Sequence, residues 1–146
     1  MNLDDVLAQW SQDCEISHKL DECSRETPKL HAKYLGYLTQ AKLLLKKAES
    51  DQQVLLKNKF LWYNGKMSQE EIVELGWKHD PFDGLKVMKG DMNYYYDSDA
   101  EIQKSEQKIA YYKAMVDALK EMVEGIKWRH QHIRNIIEVR RFESGG

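Results

Sequence analysis

The side chains with the clearest chemical potential lie between residues 55 and 66, where lysines and aromatic residues are interleaved in the stretch LLKNKFLWYNGK. Single-stranded nucleic acid is bound by this combination, because cations pair with phosphates while aromatic rings stack on bases. The predicted DNA-binding residues in this stretch are Lys57, Lys59, Lys66, Phe60, Trp62 and Tyr63, and an earlier basic track adds Lys42, Lys46 and Lys47.

The same stretch also has a structural interpretation. Phe60 and Trp62 would then be core residues, and the lysines would form a solvated face that suits the C-terminal end of a helix. In a mixed interpretation, one aromatic side chain packs inward and another is exposed. These interpretations stay open at the level of the sequence.

The net charge of −2 conceals an uneven distribution of charge along the chain. Residues 27–66 carry eight basic and two acidic side chains, a net +6, whereas residues 67–107 carry four basic and ten acidic side chains, a net −6. Screening limits surface fields to about 8–10 Å at ordinary salt. The +6 segment can therefore bind a polyanion although the whole chain is nearly neutral.

Motifs for catalysis and metal binding are missing from the sequence. It contains no Gly-rich phosphate loop, nucleophile elbow or HExxH pattern. Among the five histidines only His130 and His132 are close in sequence, and at i and i+2 on a helix they point to different faces. Cys14 and Cys23 form no CxxC pair and are expected to be reduced thiols. We predict no enzyme activity, no cofactor and no metal site.

Membrane-directing segments are not recognisable either. No run of about 18 apolar residues, the length that a spanning helix needs, occurs in the chain. The N-terminal sequence MNLDDVLAQW is acidic, where a signal peptide is basic. We expect no membrane partner, and we expect the protein to stay in the compartment where it is made.

A long helix over residues 28–63 is predicted to carry the basic stretch at its end. Thr27 is a suitable N-cap and Pro28 a suitable first helical residue. Apolar residues then recur at helical spacing with only one glycine between them. The pair Asn64-Gly65 is expected to end the helix.

Shorter elements are predicted on both sides of this helix. Periodic apolar residues indicate a helix over about residues 3–14 and another over about residues 17–25. A capping box followed by a glycine predicts a short helix over residues 68–76. Residues 77–97 are rich in aspartate, glycine and tyrosine and predict an irregular loop, with a brief extended segment around residues 85–88 as an option.

The C-terminal third carries an apolar repeat of seven residues. We expect a helix over about residues 98–143, with Asp97 or Ser98 as its N-cap. Position a of six heptads is occupied by Ile102, Ile109, Val116, Val123, His130 and Ile137. Position d is occupied by Ser105, Tyr112, Leu119, Ile126, Ile133 and Arg140. Three further apolar residues widen the stripe at position g, namely Met115, Met122 and Ile136.

This stripe predicts contacts with other copies of the chain. A helix of about 45 residues is about 67 Å long, and the rest of the chain looks too small to cover it, so a homo-oligomer is expected. The alternative is an intramolecular hairpin with the 28–63 helix, and both contacts can coexist. The predicted oligomerisation residues are Ile109, Tyr112, Val116, Leu119, Val123, Ile126, His130, Ile133, Ile137, Arg140 and Phe142.

Two blocks of the sequence resemble the UvsY family of phage recombination mediators. The first extends from Lys19 and ends in the pattern LK-x-[KR]-x-x-x-Y-x-G, matched here by Leu56, Lys57, Lys59, Tyr63 and Gly65. The second is IK-x-R-x3-I-x2-I-x3-R-x-FE-x-G, matched by Ile126, Lys127, Arg129, Ile133, Ile136, Arg140, Phe142, Glu143 and Gly145. Together the blocks cover more than half of the chain, whereas residues 67–97 match poorly.

The resemblance implies an all-α protein that forms a ring-like homo-oligomer, a hexamer or heptamer, through its C-terminal helices. It implies binding of single-stranded DNA, with the family's basic pair at Lys57 and Lys59. It further implies as partners the phage single-strand-binding protein, whose hold on DNA is weakened, and the RecA-like recombinase UvsX, in the cytoplasm of the infected bacterial host.

The corresponding functional division of the chain is a DNA-binding region over residues 1–97, including the irregular loop, and an oligomerisation helix over residues 98–146. The alternative function, from another class, is a helical scaffold or assembly protein in which the lysine cluster is merely solvated and binds no DNA.

Overall fold

The computed structural model describes residues 1–145 and is all-helical, as predicted. No strand occurs among these residues. The elements in chain order are α1 (Leu3–Asp13), α2 (Leu20–Tyr63), α3 (Gln69–Leu75), a 3₁₀ turn (Lys89–Asp91), α4 (Met92–Ser98), α5 (Ala100–Lys127) and α6 (Arg129–Glu143).

The long helix α2 begins earlier than predicted, at Leu20, and includes most of the segment that was expected to form a separate helix over residues 17–25. Pro28 therefore lies inside the helix. Proline removes the N–H that would bond the carbonyl of Ser24, but Ser24 is exposed, so water can satisfy that carbonyl. The predicted start at residue 28 was wrong because this proline lies on an exposed part of the helix.

α2 ends at Tyr63, directly before the Asn64-Gly65 pair that was predicted to end it. The N–H of Lys66 donates to the carbonyl of Leu61 at 2.8 Å, and the N–H of Gly65 donates to the carbonyl of Trp62 at 3.2 Å. This pair of bonds is a Schellman motif, which needs a left-handed residue, and Gly65 has a φ of +69°. The turn brings Lys66 back beside the last turn of α2.

The predicted continuous helix over residues 98–143 is interrupted at Trp128, between α5 and α6. The N–H of Trp128 donates to the carbonyl of Gly125 at 3.2 Å, a bond over three residues that tightens the chain into a 3₁₀-like turn. The prediction of one helix was wrong because the heptad pattern continues through the turn and periodicity gives no sign of it.

The N-cap of α5 also lies later than predicted. The carboxylate of Asp99 accepts the N–H groups of Glu101 and Ile102, each at 3.0 Å. The expected caps, Asp97 and Ser98, instead form the end of α4. The prediction of the cap failed because α4 itself was not predicted.

The middle segment is more regular than predicted. α3 follows Ser68, whose hydroxyl accepts the N–H of Glu71 at 3.3 Å, as the capping box indicated. The loop predicted over residues 77–97 instead contains the 3₁₀ turn and α4, so that prediction was wrong from residue 89 onward. The reason is burial, because tyrosines of α4 pack on the neighbouring core. The optional extended segment, residues 85–88, forms no strand.

The chain packs into two compact units, and both long helices contribute to both. The first comprises Met1–Leu44 and the chain from Tyr112 onward, and the second comprises Leu45–Tyr111. The functional division at residues 97 and 98 is a different one and stays a prediction, and its last residue, 146, lies outside the described residues.

The core of the first unit contains three large side chains that are fully buried, Tyr34, Met115 and Leu119. The ring of Trp10 in α1 meets the ring of Tyr34 edge-on, with 5.1 Å between centroids. The same indole lies 3.5 Å from the place that a Cβ on Gly125 would take. α1 therefore contacts the α2 and α5 segments of this unit.

The core of the second unit is mainly aromatic. Its buried cluster consists of Trp62, Tyr63, Met67 and Ile72. Partly buried residues pack against this cluster, namely Leu61, Trp77, Phe82, Met92, Tyr95 and Tyr96. The acidic, aromatic segment that follows α2 thus folds back on the end of that helix.

None of the helices within residues 1–145 combines the length and the apolar character that crossing a bilayer requires. Within the same residues, no group of three or more histidine, cysteine, aspartate or glutamate side chains could hold a metal ion. Cys14 and Cys23 are free thiols.

Candidate nucleic-acid interface

The last turn of α2 and the turn after it present an exposed aromatic ring between two exposed lysines. Phe60 is 49% exposed, and the Nζ of Lys66 lies 5.5 Å from the centroid of its ring. Lys57 is exposed and lies three residues before Phe60, so it is a neighbour on the same side of the helix. We call Lys57, Phe60 and Lys66 the cationic–aromatic surface. Cations beside an open ring are an arrangement by which proteins bind single-stranded nucleic acid.

Additional lysines precede this surface along α2. Lys46 is exposed, and its spacing of eleven residues, about three helical turns, places it on the same side as Lys57. Lys47 is exposed on the flank of that side. Lys42 is also exposed, on the part of α2 that belongs to the first unit. Within the second unit, Lys46 and Lys47 thus lie about three turns before Lys57, and residues 48–56 between them carry no lysine or arginine.

Trp62 and Tyr63 point into the protein, with exposures of 9% and 8%. The indole N–H of Trp62 donates to the carbonyl of Lys78 at 2.8 Å. The ring of Tyr63 lies edge-on to the ring of Tyr96 with 5.1 Å between centroids. In this structure the two rings are not open to stacking, so the structure does not support the predicted contact of Trp62 and Tyr63 with DNA. The mixed interpretation of the stretch agrees with the structure.

Lys59 is buried as well, with only 3% of its side chain exposed. Its Nζ lies 3.1 Å from Oδ2 of Asp99 and 3.3 Å from Oε1 of Glu101. The ring centroids of Trp77 and Trp62 lie 4.0 and 4.6 Å from the same Nζ. In this structure the enclosed ammonium is not open to a phosphate, so the structure does not support the predicted direct contact of Lys59 with DNA. No local pattern indicates the pairing, since Glu101 is 42 residues away in sequence.

Asp99 holds this buried charged group together. Its Oδ2 accepts the hydroxyl of Tyr63 at 2.6 Å. Burial by itself raises the pKa of Asp99, but hydrogen bonds from Tyr63, from the N–H of Ile102 and from Lys59 outweigh burial and hold the pKa below its ordinary value. Burial and the bond to Asp99 raise the pKa of Tyr63. At neutral pH the carboxylate is therefore charged and the phenol neutral.

The predicted oligomerisation residues fall into two groups. Those buried within the single chain are Ile109, Val116, Leu119, Val123, Ile126 and Ile133. Those exposed on α6 are His130, Ile137, Arg140 and Phe142, and Tyr112 is intermediate. The chain therefore covers most of its own heptad stripe, and the expectation that it is too small to do so was wrong for α5. Among the predicted oligomerisation residues, the exposed ones all lie on α6.

Comparison with known proteins decides the family. A family model described as "Recombination, repair and ssDNA binding protein UvsY" matches residues 9–146. The chain belongs to the UvsY family. It is similar to the recombination protein uvsY of Enterobacteria phage T4, with 24% identity over 146 residues that cover 99% of each chain.

Solved structures agree with this assignment at the level of the fold. Two crystal forms of the bacteriophage T4 recombination mediator protein UvsY match the chain with TM-scores of 0.79 and 0.76 at 22% and 21% identity. The matches cover 99% and 98% of this chain, and 98% and 99% of the T4 chains. The fold is therefore the UvsY fold over nearly the whole length.

Two arginines of the UvsY-like C-terminal pattern have structural partners that sequence reasoning missed. Arg129 is 5% exposed, and its guanidinium donates to the carbonyls of residues 13–15 at 3.3, 3.3 and 3.1 Å. These carbonyls belong to the last residue of α1 and the two residues after it, where a helix lacks internal partners. Arg140 donates to the carbonyl of His18 at 3.1 Å. The sequence did carry one sign of this burial, because Arg129 occupies heptad position g, where the neighbouring heptads have Met122 and Ile136.

Proposed function

We propose that this protein is a recombination mediator that binds single-stranded DNA as a homo-oligomer and helps to load a RecA-like recombinase in phage recombination, repair and recombination-dependent replication. The observation that carries the proposal is the cationic–aromatic surface, in a chain of the UvsY family. Phe60 supplies a stacking face, Lys57 and Lys66 supply phosphate contacts, and Lys46 adds a cation about three turns earlier on α2.

One such surface binds weakly on its own. A stacked base contributes about 1–3 kcal/mol, and the phosphate contacts are weakened by salt. Repetition of the surface in an oligomer raises the effective concentration of binding sites along one strand. A strand that follows several surfaces is held in a defined path, which competes with its binding to the single-strand-binding protein and favours transfer to the recombinase.

The assembly is proposed to use α6, as a ring-like hexamer or heptamer. Ile137 and Phe142 are exposed by 41% and 86%, and Val139 between them is exposed by 56%. Large exposed apolar side chains that form a patch mark sites of contact between proteins. The buried heptad residues of α5 have no direct part in this proposed contact, because they pack inside the chain.

The mediator acts without a chemical step in this proposal. The sequence has no phosphate-binding loop for ATP, so the free energy for loading comes from binding, and nucleotide hydrolysis belongs to the recombinase. The partners are single-stranded DNA, the phage single-strand-binding protein, the recombinase UvsX and further copies of the chain. The place of action is the cytoplasm of the infected bacterium.

Fluorescence anisotropy with a labelled oligothymidylate, measured over a series of salt concentrations, tests the proposal. The wild-type protein is expected to bind, with affinity that falls steeply with salt because counterions are released at each phosphate contact. Lys57→Met with Lys66→Met is expected to weaken binding and to reduce the slope of log affinity against log salt by about 0.7 for each phosphate that is no longer neutralised.

Lys104→Met is the matched control, since Lys104 is exposed in the same unit but lies on α5. It is expected to bind like the wild type. Absence of binding at low salt, or equally weakened binding in the control and in the double variant, contradicts DNA binding by the cationic–aromatic surface and favours the helical scaffold.

A further inference from the structure

Among the six predicted DNA-binding lysines, Lys59 differs from the others because its ammonium is buried. We propose that Lys59 is a positioning residue: it fixes the last turn of α2 so that Phe60 and Lys57 face the DNA, and it makes no phosphate contact itself. This inference rests on the proposed function and assigns different roles to the two members of the basic pair, Lys57 and Lys59.

The partners of Lys59 explain why it stays inside. Its Nζ has Asp99 and Glu101 at 3.1 and 3.3 Å, and the ring of Trp77 at 4.0 Å from Nζ to centroid. The Asp99 side chain is only 5% exposed. If Lys59 turned outward to a phosphate, a buried carboxylate would lose its cation, which is a costly change in a protein interior. The free energy gained from one exposed phosphate contact does not offset it.

Two consecutive turns of α2 are attached at this point to the start of α5. Lys59 and Tyr63 are four residues apart, so they lie on one side of the helix, and both bond to Asp99. Asp99 is itself fixed by the N–H groups of Glu101 and Ile102. The attachment therefore determines the rotation of the last turn about the helix axis.

The rotation of that turn decides what faces solvent. Successive residues of a helix are about 100° apart, so Phe60 lies about 100° from Lys59, and Lys57 lies about 160° from it. With Lys59 held inward, Phe60 and Lys57 are exposed. The turn after the helix then brings Lys66 to 5.5 Å from the ring of Phe60. Loss of the inward attachment is expected to disorder this arrangement while the phosphate-binding cations remain present.

The test compares Lys59→Met with Lys57→Met in the full-length protein, with a labelled oligothymidylate as the probe. Lys57→Met is expected to weaken binding and to flatten the salt dependence. Lys59→Met is expected to weaken binding about fivefold or more, the lower end of what one stacked base contributes. Its salt slope is expected to equal that of the wild type, because every phosphate-binding cation is still in place. Lys59→Arg, which keeps a cation for Asp99 and Glu101, is expected to restore binding.

All dissociation constants are measured at a temperature where circular dichroism shows each variant to be fully folded. If Lys59→Met does not fold, Lys59→Met with Asp99→Asn replaces it in the same comparison, since that pair leaves no unpaired buried carboxylate. A slope reduced as much as in Lys57→Met identifies Lys59 as a phosphate contact and overturns the inference. Wild-type affinity in a folded Lys59→Met protein overturns it too, since Lys59 is then structural only.

The outcomes for the two proposals can be told apart. A wild-type protein without salt-dependent binding contradicts the proposed function, and this inference with it. Normal wild-type binding, together with salt slopes that are equally reduced in Lys57→Met and Lys59→Met, contradicts only the positioning role.

Discussion

The first compact unit buries mainly aliphatic and methionine side chains, such as Met115 and Leu119, beside the ring of Tyr34, whereas the second buries a cluster of aromatic rings around the ion pair of Lys59 and Asp99. The buried cation of the first unit, Arg129, bonds backbone carbonyls. The buried cation of the second unit bonds carboxylates and contacts rings. Interleaved lysines and aromatic residues therefore do not by themselves mark a binding surface, because the same residue types also form a core.

The end of α2 shows both uses at adjacent positions. Lys59 is 3% exposed and Phe60 is 49% exposed. What separates them is the position of Asp99, which draws Lys59 inward, whereas Lys57 on the opposite side of the helix stays in solvent. The second unit thus combines a core and a candidate interface within one helical turn, whereas the first unit has exposed apolar residues on a separate helix, α6.

The largest expected effect is a loss of folding stability, and it should occur at a buried heptad residue of the first unit but not at an exposed one. Leu119→Asp places a charge at a fully buried position, and we expect a loss of stability of about 5 kcal/mol or more, enough to unfold a typical domain. Ile137→Asp changes a side chain that is 41% exposed, so the protomer is expected to stay folded while the proposed oligomer dissociates. Circular dichroism and light scattering measure the two effects.

The matched pair separates folding from assembly. A folded Leu119→Asp protein contradicts the packing of α5 within the chain. An unchanged molar mass for Ile137→Asp shows that the exposed side of α6 is not the contact between copies, and the assembly must then use another surface.

The heptad repeat located the apolar stripe of α5, because its place depends on local spacing, but its residues were predicted to contact other copies and the chain itself buries most of them. The Asn64-Gly65 end of α2 was also predictable, since the left-handed turn needs glycine there. The break at Trp128 was not, because the repeat runs through it. Burial of Lys59 was not predictable either, since it depends on carboxylates that only the tertiary fold brings near.

A smaller effect on stability compares two of the three aromatic residues at the end of α2, Trp62 and Phe60. Trp62→Ala removes a buried ring and is expected to cost about 3–5 kcal/mol of stability. Phe60→Ala is expected to leave stability nearly unchanged and to weaken DNA binding by about 1–3 kcal/mol, the contribution of one stacked base. Urea denaturation and anisotropy provide the two measurements. If Phe60→Ala binds DNA normally, the exposed ring has no stacking role.

The smallest expected change in stability concerns Gly36 in α2 and Gly65 in the turn after it. Substitution by alanine is expected to change stability in opposite directions at these two positions. Gly36 lies inside the helix, and a Cβ added there would meet no atom within 4 Å, so Gly36→Ala is expected to stabilise the protein by about 0.5–1 kcal/mol. Gly65 has equal space but a φ of +69°, and Gly65→Ala is expected to destabilise it by about 1–2 kcal/mol.

Because neither methyl group meets a neighbour, backbone conformation alone accounts for the difference between these two variants. Gly65→Ala is also expected to weaken DNA binding slightly, since the turn at Gly65 carries Lys66 back to the ring of Phe60, whereas Gly36→Ala leaves binding unchanged. Urea midpoints that move in the same direction for both variants contradict the left-handed turn. The geometry of the cationic–aromatic surface then has to depend on the buried Lys59 attachment alone.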